Sequence, residues 1–261
     1  MTTDWGRALT AMTLVLLRIS GLMVFAPVFS SAAIPMRVKA VFVLAISFLV
    51  APVVAGFPRA HVELGMMPVL GELSVGMVFG LTLSFLFEAL SFTGQVLGFQ
   101  FSFALVNLLD PNSQVDTPLL GQMFGLLGTL TVIATGLDRV VLAALLRTFV
   151  AAPVGTVSFS PGEALALLPM AGGIFSAALQ LSAPVLAATL LAEVAVALAG
   201  KLAPQLPVMA IDVPAKTLVG YVVLIGSLAL WPAWIESHFV ALLRAAGHLL
   251  AGTAGMAGSH G

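Results

Sequence analysis

Asp110 and Asp116 flank a short polar stretch, "DPNSQVDTP", between two long apolar runs. Two carboxylates so close in an apolar chain are the raw material of an aspartyl dyad, in which neighbouring acids share a proton. Their neighbours favour a different reading. Pro111 and Pro118 break the backbone, and Asn112, Ser113 and Gln114 are turn formers. Glu88 and Glu193 are lone acids inside apolar runs, where transporters place proton carriers. The alternative is that each pairs with a basic or polar group of a neighbouring helix. Arg18 interrupts the first apolar run, and either snorkels to an interface or faces a partner. The four histidines, His61, His238, His248 and His260, have no i,i+4 partner and no HExxH context. There is no nucleophile elbow, no phosphate-binding loop and no cysteine. The missing catalytic constellation argues against an intramembrane enzyme, and no metal or cofactor is expected.

The elements that carry these residues are apolar helices. Only 8% of the chain is charged, against about 25% in a soluble domain, so it could not cover its own surface in water. Charge-free runs extend over Ile19–Met36, Ala40–Pro58, Ala89–Leu109, Thr117–Leu137, Ala164–Ala192 and Thr217–Ile235. Each approaches or exceeds the roughly 20 residues of a membrane-spanning helix. The alternating pattern of a membrane barrel is absent. The fold class that follows is all-α: a polytopic helical membrane protein. The net charge of −1 supplies no basic face for nucleic acid. "FSSAA" (Phe29–Ala33) has the look of a cleavage site, but Arg18 and the many later runs favour an uncleaved first helix. Arg37 and Lys39, without a nearby acid, place their link on the cytoplasmic side.

Two runs are too long for one crossing. Leu73–Leu109 contains one charge, Glu88, and would measure about 55 Å as a single helix against a hydrocarbon core of about 30 Å. Such a run must break, tilt steeply or leave the bilayer, and a break is expected in "SFTGQVLGFQ" (Ser91–Gln100), where Gly94 and Gly98 weaken the helix. Ala164–Gly200, with Pro184 and Glu193, poses the same problem. Gly76 with Gly80, Gly94 with Gly98, and Gly121 with Gly125 have GxxxG spacing and predict close helix packing, within the chain or with other chains. A second punctuated stretch, Gly200–Gly220, carries Pro204, Gln205, Pro207, Pro214 and Lys216. Its apolar residues Leu206, Val208, Met209 and Ile211 suggest a link packed against a partner rather than a solvated loop.

Four stretches in order, "LRISGLMVFAPVFSSAAIPMRVKA" (Leu17–Ala40), "GELSVGMVFG" (Gly71–Gly80), "GQVLGFQFSFALVNLLDP" (Gly94–Pro111) and "APQLPVMAIDVPAKTLVG" (Ala203–Gly220), resemble the FliR family of type III secretion export-gate proteins, flagellar and injectisome. The resemblance covers nearly the whole chain. It departs at Pro207, where the family often has asparagine, at Asp212 and Val213, and at Asp138, where histidine is common.

The resemblance implies a structural subunit that joins FliP and FliQ in the flagellar export gate, beside FlhB and FlhA, and passes unfolded flagellar proteins. It implies a single export-gate membrane domain over residues 1–250, a FliP-like part (about 1–155) followed by a FliQ-like hairpin (about 156–250). Residues 251–261 form a Gly/Ala-rich tail expected to be disordered. The resemblance also places the chain in the bacterial inner membrane at the basal body. It casts Asn107, Leu108, Leu109, Asp110, Pro111, Asn112, Ser113, Gln114, Val115, Asp116 and Pro118 as a pore plug. The alternative from another class is a small-molecule secondary transporter. That reading requires a repeat and a midplane cavity, whereas an export subunit leaves large apolar faces for other subunits.

Overall fold

Apolar residues recur along this chain at helical spacing, and the computed structural model resolves that pattern, among the described residues, into eight helices. It describes residues 2–26, 34–57, 60–101, 119–157, 161–203, 205 and 208–257. The helices are α1 (Thr2–Phe25), α2 (Met36–Ala55), α3 (Met66–Gln100), α4 (Leu119–Ala134), α5 (Leu137–Ala151), α6 (Pro161–Leu202), α7 (Val208–Leu228) and α8 (Trp231–Ala257). No strand occurs among the described residues. Among the described residues five helices are long and apolar enough to cross a membrane, or up to six spans if the bent pair α4–α5 counts as one. The all-α polytopic class expected from composition is therefore what the chain adopts. Between α4 and α5 the helix path bends by 73°, with Gly136 in the left-handed region at φ 72°.

The chain divides into two compact units. The first comprises Met1–Leu86, Val132–Ala171 and His238–Gly261. In it α1 buries Ala11, Leu14, Val15, Arg18, Ile19 and Leu22, a single stripe at 3.6-residue spacing. The early part of α3 answers with Val75, Phe79, Leu83 and Leu86. Glycine sets how closely these helices approach. A β-carbon on Gly21 would meet the Leu73 carbonyl at 2.8 Å, and one on Gly80 would meet the Leu22 carbonyl at 2.7 Å. One on Gly76 would collide with the Arg18 carbonyl. The backbones thus touch directly, as small-residue packing in membranes allows. Helix α2 packs beside α1 yet leaves Phe48, Leu49 and Val53 exposed.

The second unit comprises Phe87–Thr131 and Gly172–Ser237. Here the end of α3 meets α4 with Gly94 pressed on Gly121, so that a β-carbon at Gly94 has no room. Phe92 packs edge-on against Phe175, and Phe101 stacks on Tyr221 with centroids 4.7 Å apart. Helix α6 buries one face, Ala178, Leu181, Ser182, Val185 and Thr189. Gln100 Nε2 donates to Thr189 Oγ1 at 2.7 Å.

Two sequence expectations are corrected. Helix α3 does not break within Ser91–Gln100; it runs unbroken from Met66 through Gly94 and Gly98. Helix α6 likewise runs unbroken through Pro184. The reason is energetic. A glycine costs a helix about 1 kcal/mol, whereas unpaired backbone groups in an apolar setting cost several each. At Gly94 the close contact with Gly121 offsets even that penalty. The tail expected from residue 251 begins inside α8, which continues to Ala257.

Candidate functional site

Arg18 lies on the buried stripe of α1 and is fully enclosed. A guanidinium there needs its charge and its donors satisfied. Its Nε donates to Glu72 Oε2 at 2.6 Å. Nη1 and Nη2 each donate to the Ala152 carbonyl at 3.0 Å. Nη1 also reaches Thr148 Oγ1 at 3.3 Å. The Phe149 ring covers the flat face, with its centroid 4.3 Å from Cζ. The second Glu72 oxygen, Oε1, accepts from the Gly155 backbone N–H at 2.9 Å.

The turn that supplies the Ala152 carbonyl and the Gly155 N–H is itself built by glycine. Gly155 adopts φ 76°, and a β-carbon there would also strike the His61 carbonyl. His61 N donates to the Val154 carbonyl at 2.9 Å, and Gly71 sits against the Val157 carbonyl. One ion pair therefore ties α1, α3, α5 and the turn after α5. Both charges are buried and hydrogen-bonded, and the Thr148 hydroxyl completes its own bonding by donating to Leu145 at 2.6 Å. The arrangement is a clasp: it locks four segments together.

Of the two readings of Arg18, the structure selects a partner over snorkelling. The partner, Glu72, escaped the sequence reading. The available signal was charge balance, because an arginine on a helix face that must be buried requires an acid, and Glu72 opens a stretch that also carries the α1-contacting glycines.

Glu193 pairs with Lys216 Nζ at 2.7 Å, joining α6 to α7. Glu88 is exposed. Of the GxxxG glycines, Gly76, Gly80, Gly94 and Gly121 make close contacts, while a β-carbon on Gly98 or Gly125 meets nothing within 4 Å. Residues 107–118 lie outside the described residues, as do Pro204 and Pro207. Gln205 is exposed. Pro214 and Lys216, read from sequence as parts of a link, lie inside α7. Among the described residues no three metal-ligating side chains come together.

The uncovered surface is as distinctive as the clasp. In the spans Leu167–Leu202 and Ala210–Leu228 only 22% and 11% of the most apolar window is buried. Leu179, Leu190, Leu191, Val194 and Leu198 of α6, and Leu218, Val222 and Ile225 of α7, are all exposed. Lipid or other subunits must cover them.

The comparisons agree with this architecture. The family described as Bacterial export proteins, family 1, matches residues 9–242. The flagellar biosynthetic protein FliR of Escherichia coli K12 is 26% identical over 86% of this chain and 86% of its own length. FliR of Bacillus subtilis 168 is 24% identical over 92% of this chain and 95% of its own. FliR of Caulobacter vibrioides is 25% identical over 83% and 87%. A match running through both compact units, and through the clasp residues of α1 and α3, places this chain in Bacterial export proteins, family 1.

Proposed function

We propose that this chain is a structural subunit of the flagellar type III protein export gate. It assembles with FliP and FliQ into the channel through which unfolded flagellar subunits leave the cell, with FlhB and FlhA adjacent. The complex sits in the bacterial inner membrane at the flagellar basal body. The observation that carries this reading is the uncovered apolar surface of α6 and α7, taken with the export family and the names of its relatives. Helices of about 53 Å and 63 Å, from 35 and 42 residues, exceed the roughly 30 Å core. Neighbouring subunits that rise out of the bilayer would cover the excess. The stretch 1–155 corresponds in this reading to a FliP-like part, and 156–250 to a FliQ-like hairpin. The segment Asn107–Pro118 acts as a displaceable plug: its prolines keep the backbone irregular, and Asp110 and Asp116 keep it out of lipid.

Complementation tests the proposal. A flagellated host lacking its own FliR-family protein should recover secretion of hook and filament proteins when it produces this chain. It should fail with a chain whose α6–α7 faces carry charged substitutions at Leu191 and Val222. Normal secretion from that doubly substituted chain would contradict the role assigned to these faces.

A further inference from the structure

We infer that the cleft between α5 and α8 binds the headgroup of an anionic phospholipid. The cleft belongs wholly to the first unit and has a volume of about 410 Å³, within the range of ligand pockets. Its walls are apolar: Phe79, Val140, Val240 and Leu243 line it. Two cations line it as well, Arg147 and Arg244. Both side chains are exposed, and neither forms a hydrogen bond or ion pair with a described residue. Among the described residues no carboxylate lines the cleft.

The geometry follows from two helical faces. On α5, Val140, Ala144, Arg147 and Ala151 fall on one side at i, i+4, i+7 and i+11; on α8, Val240, Arg244 and Gly247 do the same at i, i+4 and i+7. Each face thus presents one guanidinium among apolar neighbours. This contrasts with Arg18, which is fully paired although Thr148 both bonds it and borders the cleft. Among the described residues, folding of this unit gives neither arginine a partner. Both ask for an anion, and the apolar walls ask for hydrocarbon next to it. A guanidinium grips phosphate by paired N–H donors. A molecule that carries phosphate and hydrocarbon together, and that surrounds a protein with five candidate spans, is an anionic phospholipid.

Photo-crosslinking in membranes tests this on the full chain, in its native complex if it forms one. Membranes containing the chain are exchanged with phosphatidylglycerol or phosphatidylcholine carrying a photoreactive group near the glycerol, and the labelled peptides are mapped. Phosphatidylglycerol should label α5 and α8 around the cleft, and phosphatidylcholine should do so far less. Each of Arg147→Gln and Arg244→Gln should cut that labelling about fivefold, and the pair roughly 25-fold. Arg139→Gln, on α5 but outside the cleft, should leave it unchanged. Lysine at both positions should keep most of it, which separates loss of charge from loss of fold. Equal labelling by the two lipids, or full labelling of the double glutamine variant, would overturn the proposal. So would capture of a protein segment by a photoreactive residue at Val140, which would assign the cleft to an acidic partner chain.

Discussion

At the scale of single residues, the clasp makes the sharpest statements. Removing one member of a buried, hydrogen-bonded ion pair strands the other, at a cost of about 3–5 kcal/mol. Glu72→Ala should therefore lower the amount of folded chain in membranes steeply, as read by protease resistance. The double change Arg18→Leu with Glu72→Leu should recover part of that loss, because neither charge is then left unpaired. Equal damage from the double and single variants would show that the charges matter for something other than holding α1 to α3. Half of this pair was legible beforehand. Arg18 stands out because it interrupts an apolar run, but its counter-ion could have been any acid, and only the fold brings α3 to α1 at Glu72. The Lys216–Glu193 pair is a weaker feature. With Glu193 about a third exposed, it contributes about 1 kcal/mol or less, and Glu193→Gln should leave protein export intact. Abolished export with normal assembly would instead revive Glu193 as a proton carrier.

At the scale of elements, the glycine motifs separate into two kinds that spacing alone could not distinguish. Gly76 and Gly94 face backbone, where any β-carbon collides; Gly98 and Gly125 face open space. Gly76→Ala and Gly94→Ala should each impair accumulation of the chain, whereas Gly98→Ala and Gly125→Ala should be tolerated. The last two should even gain some stability, since alanine favours a helix over glycine by up to about 1 kcal/mol. Immunoblots of membrane fractions after mild heating check the order; a Gly98→Ala defect confined to the assembled complex would show that this glycine faces another subunit. The same distinction explains the expected breaks that α3 and α6 lack. Glycine and proline mark where a helix is weak, but whether it breaks depends on what packs there, and that information lies in α4 rather than in Ser91–Gln100. The Gly200–Gly220 stretch shows the reverse. Its prolines suggested a long link, yet Pro214 and Lys216 lie within α7. Gln205, exposed within that stretch, remains the position from which an introduced cysteine should crosslink to a neighbouring subunit such as FlhB.

At the scale of the whole molecule, composition alone made the class legible, because a chain with 8% charge has no aqueous surface to offer. The ordered motifs made the family legible, and the family match over residues 9–242 agrees. What composition could not reveal is which apolar faces the chain covers itself. Helices α1 and α3 bury about half of their most apolar windows, 44% and 56%, whereas α6 and α7 leave most of theirs exposed, with 22% and 11% buried; that difference depends on which helices meet. If the plug assignment holds, deleting Asn112–Asp116 should raise ion conductance of the assembled gate before it abolishes protein export, and unchanged conductance in a normally assembled gate would reduce the segment to a surface turn. The most direct test of the central claim is the composition and size of what purifies with this chain in mild detergent, with and without co-produced FliP and FliQ. The account predicts one discrete complex containing all three proteins when they are made together, and aggregation when the chain is made alone. A monodisperse, folded monomer that ignores both partners would contradict it.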